Sequence, residues 1–221
     1  MRTTLKTISP DIETVIVEIA RVSSTRVDKS EKPEGLINYL IKNRHWSPFE
    51  HGFITFEIVT SKAIGIQLLR HRSFTFQEFS QRYAKVENFE PIELREQAVS
   101  NRQSSTEIFD PQLELTTYFA GRTDAWDIKA STAIDAYLEQ GKDLYNELLE
   151  KGVAKECARM VLPMCTETTI YMSGTVRSWI HFLQIRDDGH AQKEIQLIAK
   201  EMKKIFIEEC PIISKALEWS I

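Results

Sequence analysis

Glycine-rich phosphate loops are missing from this chain of 221 residues. Its eight glycines spell neither GxGxxG nor GxxxxGK(S/T), so any nucleotide must be gripped by side chains rather than by a glycine turn. Cysteine is scarce: Cys157, Cys165 and Cys210 form no CxxC pair and are odd in number, which excludes a cysteine metal knot and a disulfide framework. Buried thiols in a reducing compartment are expected. The five histidines show no HExxH or HxH spacing, and no metal site is expected. Neither GxSxG nor a Cys–His signature is present to supply a Ser or Cys nucleophile. No apolar run approaches the ~20 residues of a membrane span. The start Met-Arg-Thr-Thr-Leu-Lys lacks the apolar core of a secretory signal, so a cytoplasmic location is expected. Positive charge is not in excess either: the net charge is −4, which argues against a nucleic-acid partner.

What is present reads as one α+β domain over residues 1–221, with 42% apolar and 27% charged residues and no repeats or linker. Helices are predicted over 11–23, 35–44, 62–71 (capped by Ser61), 123–149 (with Ala133, Tyr137, Leu144, Leu148 and Leu149 on a stripe), 154–161, 176–186 and 190–209. Gly152 marks one stop and Pro211 another. Residues 53–59 alternate as a strand with Ile54, Phe56 and Ile58 on the core side, and 168–172 reads as a second strand. Residues 23–35 and 45–48 read as loops, and 87–121 as a long irregular excursion.

The most informative stretch runs from Arg70 to Tyr83: Arg70-His71-Arg72-Ser73-Phe74-Thr75-Phe76-Gln77-Glu78-Phe79-Ser80-Gln81-Arg82-Tyr83. Arginine is a permanent cation with a planar fork of donors. Three of them around one aromatic segment, with few nearby acids, point to a flat anionic ligand, a nucleotide or dinucleotide. On a continuous helix Gln67, Arg70 and His71 share a face, but Arg72 stands about 200° around from Arg70. Either the helix unwinds here or the two arginines serve different ligands. If the segment after it is extended, Glu78, Ser80 and Arg82 share one face.

Two further segments look like partners of this cluster. Arg159 stands among apolar residues in Cys157-Ala158-Arg159-Met160-Val161-Leu162-Pro163, where burial would demand an anion from the fold or from a ligand. Arg177 and His181 are an i,i+4 pair on one helix face. Arg186 closes that helix just before Asp187 and Asp188, and taken alone reads as an ordinary C-terminal cation.

Together these residues resemble the flavin-dependent thymidylate synthases. The motif is Arg-His-Arg, seven residues, then Ser, found here from Arg70-His71-Arg72 to Ser80 and extended by Arg82-Tyr83. Phe49-Glu50-His51, Ala158-Arg159 through Pro163, and Arg177-Ser178 through Arg186 to His190-Ala191-Gln192 follow in the family's order. The resemblance implies a central, mainly antiparallel sheet flanked by helices, and a homotetramer whose active sites are shared between subunits. It implies reductive methylation of dUMP to dTMP, with methylenetetrahydrofolate as carbon donor and NADPH as reductant through bound FAD. It further implies that Gln67, Arg70, Glu78, Ser80, Arg82, Arg159 and Arg186 contact dUMP. His51, Arg70, His71, Arg72, Glu78, Arg177 and His181 would contact FAD. Arg186 and Ser80 carry the catalytic roles, Arg186 by stabilising the uracil as its N3 proton is lost and Ser80 by orienting the nucleotide. Thr175 and His181 stand where the family often has asparagine.

Overall fold

Alternation decides the central strand. In Phe53–Ser61 (β2), Ile54, Phe56 and Ile58 are at most 1% exposed while Phe53 is half exposed, as the period-2 pattern predicts. The computed structural model describes residues 1–23, 32–101, 104–119 and 122–220. In chain order these fold as β1 (Arg2–Ile8), α1 (Ile12–Ala20), α2 (Pro33–Lys42), β2, α3 (Lys62–Leu68), β3 (Phe74–Glu78), β4 (Arg95–Gln97), β5 (Ser105–Ile108), β6 (Gln112–Phe119), β7 (Arg122–Lys129), α4 (Ala130–Glu150), α5 (Lys155–Ala158), β8 (Glu167–Thr175), α6 (Val176–Arg186), α7 (Lys193–Glu209) and α8 (Pro211–Ala216). Short 3-10 turns at Arg21–Ser23, Ser47–Glu50 and Arg159–Val161 complete the α+β chain.

Two compact units emerge. The first comprises Met1–Thr60, Ile64–Glu78 and Thr168–Ile221. It holds a four-stranded sheet in the order β1-β2-β8-β3, antiparallel at both outer pairs, with Leu5 opposite Phe56 and Phe76 opposite Met172. Helix α6 packs Val176, Trp179, Phe182 and Leu183 against the inner face. The Trp179 indole N–H donates to the Ile54 carbonyl at 3.0 Å, so the largest core side chain buries no unpaired polar atom. Helices α1 and α7 add Ile16, Val17, Ile198, Met202 and Phe206 to the same core. Gly174 is required here, since a Cβ at that position would lie 2.4 Å from the Phe74 ring.

The second unit comprises Ser61–Ala63 and Phe79–Glu167. Its small core gathers Val86, Tyr145 and Ala158, packed by Phe79, Phe89, Leu148 and Leu149. Helix α4 ends as expected at Gly152, in a left-handed conformation (φ 83°). The Gly152 N–H donates to the Leu149 carbonyl and that of Val153 to Leu148, the paired bonds of a Schellman stop.

Several expectations change. Residues 87–121 are no irregular excursion: β4 pairs with β5, and β6 pairs with β7 from Gln112–Lys129 to Phe119–Arg122. Residues 123–129, predicted as helix, are therefore strand, because Leu113 and Leu115 find Ile128 and Trp126 directly opposite. On α4 it is Tyr145 that is fully buried, while Tyr137 and Leu144 from the expected stripe are exposed. Helix α3 stops at Leu68 instead of 71, and Ser61 ends β2 with its N–H on Glu90 rather than capping α3. The segment after Glu78 is a turn and not extended, since the N–H groups of Tyr83 and Ala84 both donate to the Ser80 carbonyl; Glu78, Ser80 and Arg82 share no strand face. Pro33 opens α2 instead of lying in a loop, and the part of that loop at 24–31 lies outside the described residues. Pro211 ends α7 and also opens α8, taking the first-turn position where a missing N–H costs nothing.

Candidate active site

The stop of α3 creates the first cluster. Beyond Leu68 the chain turns twice: the His71 N–H donates to the Leu68 carbonyl, and Phe74 N–H donates to that of His71. Arg70 and Arg72 project from this turn, both exposed and, among the described residues, without an ion pair. Gln67 donates to the side chain of Gln192, just before α7, at 2.6 Å.

His71 turns inward between them. Its ring meets Phe182 edge-on at 4.9 Å and Phe74 at 6.3 Å. The Arg186 Nε donates to the His71 Nε2 at 3.0 Å. Burial first, then the neighbouring Arg186 and His181 charges, lower the imidazole from its ordinary 6.5 to about 4. It is therefore neutral near pH 7, its proton on Nδ1 and its Nε2 lone pair facing the guanidinium. Burial also lowers Arg186 from its ordinary value. The acids that follow Arg186 are engaged elsewhere, Asp187 with Lys203 at 2.7 Å and Asp188 with His190 at 2.7 Å. Among the described residues this half-buried guanidinium has no carboxylate partner. Arg186 does stand in the last turn of α6, as the C-terminal-cation reading has it, but its acidic neighbours do not pair with it, which leaves its Nη groups for an anionic or electron-rich acceptor.

A cleft of about 590 Å³ opens at the start of α6, lined by Trp46, Glu50, Thr175, Arg177, His181 and Gln184 among others. Arg177 and His181, paired by their helical spacing, do face the same space. An indole, two cationic or donor side chains, hydroxyls and an amide suit a flat anionic ligand. Sequence reasoning missed Glu50, Trp46 and Gln184, and set Thr175 aside; Glu50 adjoins His51 and Thr175 lies two residues before Arg177. His51 itself is exposed, its N–H on the Pro48 carbonyl, and does not line the cleft.

Glu78 is half-buried and accepts from the Thr168 hydroxyl at 2.9 Å. In the second unit, Arg82 reaches Glu156 at 3.3 Å, so it does find an acid. Arg159 is only partly buried, and its Nε bonds weakly to the Glu156 carbonyl at 3.4 Å. Both cations thus address Glu156, whose exposed carboxylate holds Arg82 loosely. Ser80 gives its carbonyl to the turn and keeps its hydroxyl on the surface of that turn, with one long contact from the Arg82 N–H at 3.4 Å. Among the described residues no group of three His, Cys, Asp or Glu is placed to hold a metal ion, and none of their helices is long and apolar enough to cross a membrane. All three cysteines are free; Cys165 and Cys210 are buried and Cys157 is exposed, against the expectation of burial for all.

The family model described as thymidylate synthase complementing protein matches residues 4–212. A probable flavin-dependent thymidylate synthase of Paramecium bursaria Chlorella virus 1 is 45% identical over 209 residues, covering 94% of this chain and 91% of the relative. The flavin-dependent thymidylate synthase of Synechocystis is 44% identical over 207 residues, covering 94% and 90%. That of Thermus thermophilus is 34% identical over 206 residues, 92% and 70%. With a family match over nearly its whole length, the chain is an enzyme of the flavin-dependent thymidylate synthase family.

Proposed function

We propose that this enzyme converts dUMP to dTMP by reductive methylation, with methylenetetrahydrofolate as carbon donor and NADPH as reductant. The observation that carries the reading is Arg186: a half-buried guanidinium held by a neutral imidazole at 3.0 Å, with no carboxylate partner among the described residues. A pyrimidine that becomes electron-rich on losing its N3 proton is the kind of acceptor such a group stabilises. Arg70, Arg82 and Arg159 offer cations for the nucleotide phosphate, Gln67 and Glu78 offer hydrogen bonds, and Ser80 orients the nucleotide. These residues act together in a homotetramer whose sites draw on several subunits, the whole chain serving as one cytoplasmic catalytic domain.

The donor set of the α6 cleft fits FAD: cationic and N–H donors in Arg177 and His181 for the pyrophosphate, hydroxyls for the ribose, and Trp46 for a ring face. His51, Arg70, His71, Arg72 and Glu78 complete the residues that would hold it. When bound, FAD supplies the two-electron redox chemistry that no side chain of the protein offers. With α3 ended at Leu68, Arg70 and Arg72 are no longer set about 200° apart on one helix, so both can reach FAD while Arg70 also reaches dUMP.

Release of tritium from 5-tritiated dUMP, dependent on added methylenetetrahydrofolate and NADPH, tests the reading directly. A visible flavin band that bleaches with NADPH, to a different extent with dUMP, is the expected companion. Flavin and dUMP binding without tritium release would leave only a nucleotide-binding module.

A further inference from the structure

Glu50 lines the cleft but belongs to neither the dUMP nor the FAD contact set, yet it joins three segments there. The 3-10 turn Ser47–Glu50 delivers its carboxylate, and both oxygens are engaged. Oε1 accepts from the Arg177 Nη1 at 2.6 Å and Oε2 accepts from the Thr175 hydroxyl at 3.1 Å. A carboxylate only accepts, so the Thr175 proton goes to Glu50 and its oxygen is left to cap α6, taking the Ser178 N–H at 3.2 Å. The Ser178 hydroxyl donates in turn to the Ser73 carbonyl at 3.2 Å, in the turn that carries Arg72. One carboxylate therefore ties the Ser47–Glu50 turn to the first turn of α6, and through it to the arginine turn.

Stability does not explain this arrangement. The Arg177 and Glu50 side chains are 51% and 40% exposed, and a pair so open to water contributes little. Attraction for an anion does not explain it either, because a carboxylate reduces the positive charge of the cleft. Geometry remains. Arginine carries five N–H donors in a rigid fork, and fixing one edge on Glu50 leaves the other donors aimed by the same constraint. Unfixed, the side chain would spread over many rotamers and would lose that freedom on ligand binding.

We propose that Glu50 is a positioning residue of the flavin site, holding Arg177 and the capped start of α6 in the arrangement that receives the anionic part of the dinucleotide. The proposal rests on the flavin reading of the cleft. The test is titration of the flavin-depleted full-length protein with FAD, followed by flavin fluorescence, alongside the KM for dUMP. Glu50→Ala is expected to weaken FAD binding about tenfold, the order of one charge-assisted contact, with the KM for dUMP unchanged. Glu50→Gln keeps an acceptor for Arg177 and is expected to stay within about threefold of the parent by the same reasoning. Glu50→Asp, too short to span both partners, should fall between them. In an Arg177→Ala background, Glu50→Ala should cost clearly less than in the parent, since only its Thr175 bond is left to lose. Parental FAD affinity in Glu50→Ala, tighter binding in Glu50→Gln, or equal losses in the Ala and Gln variants would each overturn the proposal. If the parent protein itself takes up no FAD, the flavin reading fails and this proposal falls with it.

Discussion

Protonation of His71 destroys the acceptor of Arg186 and sets two cations 3.0 Å apart. The imidazole falls from 6.5 to about 4 on folding, so between these values the unfolded chain binds more protons and stability drops as the pH is lowered through that window. The full difference corresponds to roughly 3 kcal/mol, an upper bound because the ring is only half-buried. At pH 5 the unfolded imidazole is almost wholly charged and the folded one almost wholly neutral, and roughly 2 kcal/mol of that has already gone. The assay is urea denaturation of the parent and of His71→Gln at pH 7 and pH 5. Glutamine still offers an oxygen to Arg186 but does not titrate, and the other histidines are common to both proteins. The parent is expected to lose about 1–2 kcal/mol more than the variant between the two pH values. Parallel losses would refute the reasoning, because they would mean that His71 titrates alike in folded and unfolded chains. A dUMP titration adds the functional side: at pH 5 the folded imidazole is still neutral and Arg186 keeps its anchor, so the parent should lose affinity relative to His71→Gln only as the pH approaches 4.

Arg186→Ala should lower tritium release by at least about a hundredfold, the scale of one preorganised electrostatic contact, while flavin remains bound in the visible spectrum. Cys157→Ala, Cys165→Ala and Cys210→Ala should each retain turnover; Cys210 is fully buried and burial pushes its thiol well up, so stability rather than activity should fall there. Gly174→Ala drives a methyl into the buried Phe74 ring, which also packs on Trp179 at 4.6 Å. A loss of about 1–3 kcal/mol is expected in denaturant unfolding. Gly152→Ala places a side chain at φ 83° and should cost about 1 kcal/mol, read the same way.

Local pattern carries some elements fully. The Ile54-Phe56-Ile58 alternation gives β2 its core face, Thr168–Met172 lies inside β8, and α6 spans the range its sequence indicates. The α6 pairing of Arg177 with His181 likewise holds, because i,i+4 geometry is a property of the helix itself. What fails depends on distant partners. Residues 123–129 hold Trp126 and Ile128 in alternation with Asp127 and Lys129, but a helical reading is equally local until Leu113 and Leu115 stand opposite. Tyr145 is buried and Tyr137 exposed because the Tyr145 hydroxyl meets the Val86 N–H at 3.3 Å, a contact across 59 residues. Glu50 lies inside the Phe49-Glu50-His51 motif, yet its role is invisible there, since it consists of bonds to Thr175 and Arg177 on other elements.

The arginine turn shows why the site is easier to find than to describe. Nothing local stops α3 at Leu68: Leu-Arg-His-Arg-Ser follows with no glycine or proline, and each of these residues tolerates a helix. The stop comes from tertiary partners. The His71 ring is drawn in between Phe182 and Phe74, and its Nε2 is claimed by Arg186. All three partners come from α6 or from β3 beyond the turn, so the helix can end there only once those elements have packed. The aromatic contacts and the Arg186 bond of the imidazole offset the lost helical turn, and the consequence is that Arg70 and Arg72 are no longer held on opposite sides of one helix. Residues that override their own local preference in this way mark a site more reliably than residues that merely carry charge. Arg82, equally conspicuous in the sequence, sits in an ordinary turn opposite Glu156 and bears no such mark.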